Sequence, residues 1–138
     1  PTRKENSGEN ILPDIAEYIK MTLAMHKKKF TDIAGIGIGV PGAVRDDGTV
    51  NKCVNLGWDV VNVPDKLSEL LIFPKEKIKA GNDANVAALG EQWKGGGRGF
   101  DSIVMVTLGT GVGGGIILNG KILTGSNRLT DLMVLRQK

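Results

Sequence analysis

The sequence has one cysteine and one histidine among its 138 residues, and aromatic side chains make up only 4% of it. The single Cys53 excludes a disulfide framework. With His26 as its only companion, it also excludes a zinc site built from cysteine and histidine. No apolar run reaches the roughly 18 residues that a membrane-spanning helix needs, and no signal peptide opens the chain. No membrane partner is expected, and a reduced, cytoplasmic setting is the simplest reading. Net charge is scarce too, since 18 bases against 15 acids leave +3. Through Asp101 the chain balances at 14 of each, and the surplus sits in Lys121, Arg128, Arg136 and Lys138 against Asp131. Without a basic face or stripe, no nucleic-acid partner is expected.

Glycine, in contrast, is abundant. Its 20 residues are about twice the usual share of roughly 7%, and they are clustered. A hydrophobic content of 41% argues against a disordered chain. The length suits one domain of about 100–200 residues and is short for two generous cores. The chain opens Pro1-Thr2-Arg3 without an initiator Met, as a piece of something longer would.

Residues 1–9 are polar and read as loose. Ile11, Leu12, Ile15, Ile19 and Leu23 then form the stripe of an amphipathic helix, with Pro13 in its first turn. Lys27, Lys28 and Lys29 suit the end of that helix, where its dipole favours cations, and His26 reads as half-exposed beside them. In Gly35-Ile-Gly-Ile-Gly-Val-Pro-Gly42 the apolar residues alternate with glycine, which predicts a strand with one bare face. Asp47-Gly48 predicts a turn between Val44 and Val50, and Asn55-Leu-Gly-Trp58 reads as a loop. A short helix opens at Pro64 and stops at Pro74. A strand over 78–80 leads through Gly81-Asn82-Asp83 into a helix over 84–94. Gly95-Gly-Gly-Arg-Gly99 marks a boundary. Beyond it, residues 102–108 read as a strand buried on both faces, and Asn119-Gly120 as the turn of a further hairpin. Strands interleaved with helices give an α/β protein.

Two places could hold chemistry. Gly109-Thr-Gly-Val-Gly-Gly-Gly115 offers backbone N–H groups free of Cβ atoms, a cradle for an anion, with Thr107 and Thr110 as hydroxyl donors. It satisfies neither the dinucleotide fingerprint, which needs a helix to follow, nor the P-loop, since Ile122 stands where Ser or Thr should be. Asp83, at a helix start among Gly81, Asn82 and Asn85, could be a simple cap. It could also be a general base taking the proton of a hydroxyl held by the neighbouring amide. Cys53, Trp58 and Trp93 read as packing residues and Arg98 as solvated.

Together these segments resemble the ROK family of bacterial sugar kinases and repressors, particularly its glucokinases. The resemblance rests on Gly35-IGIGVPG-Gly42, Asn55-LGW-Trp58, Gly81-NDANVAALGE-Glu91 and Leu108-GTGVGGGI-Ile116, in the family's order. It implies an incomplete actin-like ATPase (ribonuclease H-like) fold, a mixed sheet flanked by helices. Residues 1–98 would be a partial N-terminal lobe and 99–138 the start of the C-terminal lobe, joined flexibly at the glycines of 95–99. It implies ATP-dependent phosphorylation of a hexose, glucose first, with ATP and Mg²⁺ as cofactors and no metal site of the protein's own. Asp83 would be the catalytic base, Gly42, Asn82 and Asp83 the sugar contacts, and Thr110, Gly111, Gly113 and Gly114 the phosphate contacts.

The family's first phosphate loop, Asp-x-Gly-Gly-Thr, has no counterpart here, and neither has its Glu-x-Gly-His sugar segment. The chain alone is therefore expected to be inactive or impaired. An uncovered sheet edge is expected to make it a homo-oligomer. A non-catalytic sugar-binding module and a fragment of a sugar-responsive transcriptional regulator are the competing readings.

Overall fold

The computed structural model describes residues 5–108 and 112–123. Glu5–Gly8 (α1) is a single turn with Asn6 and Ser7 at left-handed φ values of 50° and 56°. The expectation of a loose start fails from here on. Trp58 Nε1 donates to the Gly8 carbonyl at 3.1 Å, which ties the turn to the core. Ile11–Met25 (α2) follows and buries Ile11, Leu12 and Ala16, while Tyr18, Met21 and Met25 face outward. Its end at Met25 leaves His26 and Lys27–Lys29 exposed.

Ile36–Val40 (β1) is the strand expected from the glycine alternation. Val44 bridges Val50 across a turn through Asp47 and Gly48, as expected. Thr49–Cys53 (β2) then pairs antiparallel with Trp58–Asn62 (β3), so Trp58 opens a strand rather than lying in a loop. Strict alternation fails in Trp58-Asp-Val-Val-Asn62. The strand is held instead by its pairing and by burial of Trp58 beside Cys53.

Val63–Leu71 (α3) is capped by Asn62, whose Oδ1 accepts from Asp65 N at 2.9 Å. It stops one residue past Leu71, at Ile72 with φ 51°, before Pro74 is reached. Ile78–Asn82 (β4) returns parallel to β1, in a register that sets Val40 opposite Asn82. The long connection such a parallel pair requires is the β2–β3 hairpin plus α3. Ile11, Leu12, Val40, Val50, Trp58, Val63, Leu67, Leu71 and Ile78 close into one apolar core between these elements.

Asp83–Lys94 (α4) leads to Ile103–Leu108 (β5), Val112–Leu118 (β6) and Lys121–Ile122 (β7), an antiparallel sheet in that order. Asn119 and Gly120, at φ 50° and 74°, make the two-residue turn expected between β6 and β7.

Two expectations are corrected here. The strand read as buried on both faces is not, because Val104, Val106 and Leu108 are exposed to solvent. Trp93 is 73% exposed, with Lys94 Nζ 5.0 Å from its ring centre, so it anchors no packing among the described residues. The expected joint at 95–99 begins by folding back on the end of α4. Gly95 N and Gly97 N donate to the Glu91 carbonyl at 3.0 and 3.1 Å, and Gly96 N donates to Glu91 Oε2 at 2.9 Å.

Candidate functional site

The parallel pair β1–β4 ends with Val40 beside Asn82, so the next residues of both strands emerge side by side. In parallel sheets the carboxyl ends of the strands are where ligands bind. Here they deliver Pro41-Gly42 from β1 and Asp83 from β4. Gly42 takes φ 120°, a conformation rarely open to residues with a Cβ. Asn82 is the N-cap of α4, with Oδ1 accepting from Asn85 N at 3.1 Å. Its Nδ2 donates to the Gly42 carbonyl at 3.0 Å. One side chain thus starts the helix and holds the turn of the neighbouring strand.

Because Asn82 performs the capping, Asp83 becomes the first helical residue and its carboxylate is left exposed. Oδ1 accepts from Ala84 N at 2.8 Å. The bare face of β1 serves this arrangement at Gly39, where a Cβ would stand 3.5 Å from Asp83 Cα, and stays open at Gly37. The structure therefore brings the three expected sugar-site residues, Gly42, Asn82 and Asp83, together on one open surface. A cavity of about 280 Å³ lined by residues including Asp47, Pro64, Lys75 and Ala80 shares no residue with them.

The glycine cluster divides differently from the expected seven-residue loop. Val112 to Gly115 belong to β6, where Gly113 pairs with Thr107 and Gly114 with Val106. A Cβ on Gly113 would lie 2.8 Å from Thr107 Oγ1 and 4.0 Å from the Ala84 Cβ. One on Gly115 would lie 2.8 Å from the Ala88 Cβ and 3.0 Å from the Ala84 carbonyl oxygen. These glycines thus let β6 lie against α4, which accounts for part of the pattern by packing alone. Gly113 opposite Ala84 sets the Leu108–Val112 end of the hairpin beside the first turn of α4, the turn that carries Asp83. Thr110 and Gly111, expected phosphate contacts, lie outside the described residues.

For Mg²⁺, no group of three His, Cys, Asp or Glu side chains gathers among the described residues. An ion that usually keeps several waters and binds through one or two carboxylates plus substrate phosphates needs no such group. Among the described residues no helix is long and apolar enough to cross a membrane.

The sequence reading missed that Asn82, not Asp83, is the cap, and that it also grips Gly42. The first was legible only as a general capping signal in Gly81-Asn82-Asp83; the second depends on strand register.

The model of the ROK family matches residues 2–130. The chain belongs to the ROK family. It is 45% identical over 128 residues to a glucokinase of Halalkalibacterium halodurans, covering 92% of this chain and 38% of that protein. It is 38% identical over 101 residues to an N-acetyl-D-glucosamine kinase of Yersinia pestis, covering 69% of this chain and 36% of that one. The crystal structure of a ROK glucokinase from Streptomyces griseus with glucose and AMPPNP superposes with a TM-score of 0.66 at 34% identity, over 82% of this chain and 35% of the other. The ROK chain described here thus spans about two-fifths of the length of such relatives, and it carries part of the actin-like ATPase fold of the ROK sugar kinases.

Proposed function

We propose that this ROK chain belongs to an ATP-dependent hexose kinase, with glucose as the first substrate to test. The observation that carries this reading is the clustering of Gly42, Asn82 and Asp83 at the carboxyl ends of two parallel strands, locked by the Asn82 Nδ2 to Gly42 O hydrogen bond. Asp83 acts as general base. As the sugar hydroxyl oxygen bonds to the γ-phosphorus of ATP and the bond to the bridging oxygen of ADP breaks, the hydroxyl proton passes to the Asp83 carboxylate. Asn82 retains an N–H and a lone pair beyond its two internal bonds, enough to orient a sugar hydroxyl beside that base. ATP supplies the phosphoryl group, and Mg²⁺ arrives with its phosphates. Thr110, Gly111, Gly113 and Gly114 are the proposed contacts to them, with residues 1–98 and 99–138 contributing to two lobes around a cleft.

Support comes from relatives named glucokinase and from the match between the site's geometry and the task of holding a hydroxyl against a carboxylate. Because phosphoryl transfer depends on positioning and charge stabilisation, a chain spanning 38% of such a relative is expected to turn over poorly alone. The homo-oligomer reading rests on the uncovered apolar side chains of β5, and sedimentation that shows a single monomer at high concentration would dismiss it.

The decisive experiment replaces the matched segment of the Halalkalibacterium halodurans glucokinase with this chain's own and assays glucose with Mg-ATP. Turnover is expected, and Asp83→Asn should lower kcat by about 10²- to 10⁴-fold with little change in stability. An Asp83→Asn chimera as fast as its parent would refute the assignment of the base. Glucose binding by the 138-residue chain without any nucleotide binding would favour the sugar-binding module instead.

A further inference from the structure

The Pro41–Gly42 turn is held from beneath by a residue that no sugar could reach. Cys53 closes β2 and is 4% exposed. Its thiol donates a hydrogen bond to the Pro41 carbonyl oxygen, and its Sγ lies 3.6 Å from where a Cβ on Gly42 would stand. The next carbonyl, of Gly42, accepts from Asn82 Nδ2 at 3.0 Å, and the one after, of Ala43, accepts from Asn51 N at 3.4 Å. Three successive carbonyls are thus committed, the outer two to donors from β2 and the middle one to Asn82 at the end of β4. A planar trans peptide sets its N–H opposite its C=O. Drawing the Pro41 carbonyl toward the buried thiol therefore turns the Gly42 N–H away from it, to the side where Gly42 itself is exposed.

We propose that Cys53 is a positioning residue of the sugar site. It holds the Pro41–Gly42 peptide so that the Gly42 N–H is presented as a donor to a sugar hydroxyl beside Asp83. The proposal rests on the hexose reading given above. The thiol is neither a ligand nor a nucleophile in it. A buried –SH or –OH at position 53 can make this bond and a methyl group cannot, which separates orientation of the turn from filling of space.

The test compares the unsubstituted chain with Cys53→Ala and Cys53→Ser, labelled with ¹³C and ¹⁵N and titrated with glucose. Without sugar, the Pro41 carbonyl ¹³C resonance should move upfield in Cys53→Ala and return in Cys53→Ser. With sugar, glucose affinity should fall about three- to tenfold in Cys53→Ala, the range one hydrogen bond commands, and recover in Cys53→Ser. The Gly42 amide should report the same order. Equal glucose responses in all three proteins, or loss in both variants alike, would overturn the role of Cys53. If the unsubstituted chain shows no glucose response while the Pro41 resonance behaves as described, the same three residues at position 53 are compared in the Halalkalibacterium halodurans chimera, where equal glucose affinity overturns the positioning role and no glucose binding at all overturns the hexose reading. The hydrogen bond would then remain a feature of the fold alone.

Discussion

Up to Asn82 the chain folds around side chains sealed from water, Val50, Val63 and Leu67 among them. Beyond α4 the sheet β5–β6–β7 is as apolar in sequence, yet Ile117 is its only fully buried side chain among the described residues, and Leu108 is 82% exposed. The difference does not lie in composition. Residues 5–82 supply three helices, α1 to α3, and two strand pairs that cover one another, whereas the second sheet has α4 on one face and no described element on the other. An apolar face becomes a core only when a second layer meets it.

Leu67→Ala would break the closed half most severely. It should cost about 2–5 kcal/mol in urea unfolding, while Val104→Ala on the open face of β5 should stay within about 0.5 kcal/mol. Equal effects would show that the two regions are packed alike after all. Gly115→Ala tests the one covered face of the second sheet. Its Cβ would press on Ala88 and the Ala84 carbonyl, and thermal denaturation should reveal a loss of about 1–3 kcal/mol. Asn82→Ala, at the seam between the regions, removes the cap and the grip on Gly42 and should lower stability by about 0.5–2 kcal/mol.

The smallest effect belongs to Asp47. The backbone N–H of Thr49 and then its side chain hold this carboxyl below the usual carboxylate range. A lowered folded-state pKa means that the stabilisation is complete above the ordinary value and fades as pH falls through the lowered one. Asp47→Asn should therefore flatten the acid side of a melting-temperature profile slightly, and a profile unchanged by the substitution would dismiss the contribution.

Local signals carried much of this architecture. The Ile11–Leu23 stripe, the Gly-Ile alternation of β1 and the Asn119-Gly120 turn each state their conformation within a few residues, and all three are found. What escaped depends on partners distant in the chain. Trp58–Asn62 lacks strand periodicity and is a strand because β2 lies beside it. The glycines at 113 and 115 read as a phosphate loop, but the sequence does not reveal that α4 lies against them. At the site, Asp83 stood out by its neighbours, while the grip of Asn82 on Gly42 spans 40 residues and follows only from the register of β1 with β4. Exposure of β5 escaped for the same reason, since an apolar run states a preference and not whether anything satisfies it.

The α4 helix has a mechanical consequence. At one end its first turn is fastened through Asn82 to Gly42, and along its flank Ala84 and Ala88 mesh with the glycines of β6. A side chain at Gly113 or Gly115 would press on Thr107 or on Ala84 and Ala88 and part the strands from the helix. A push on the Gly42 corner would therefore reach β6 through the same helix that carries Asp83.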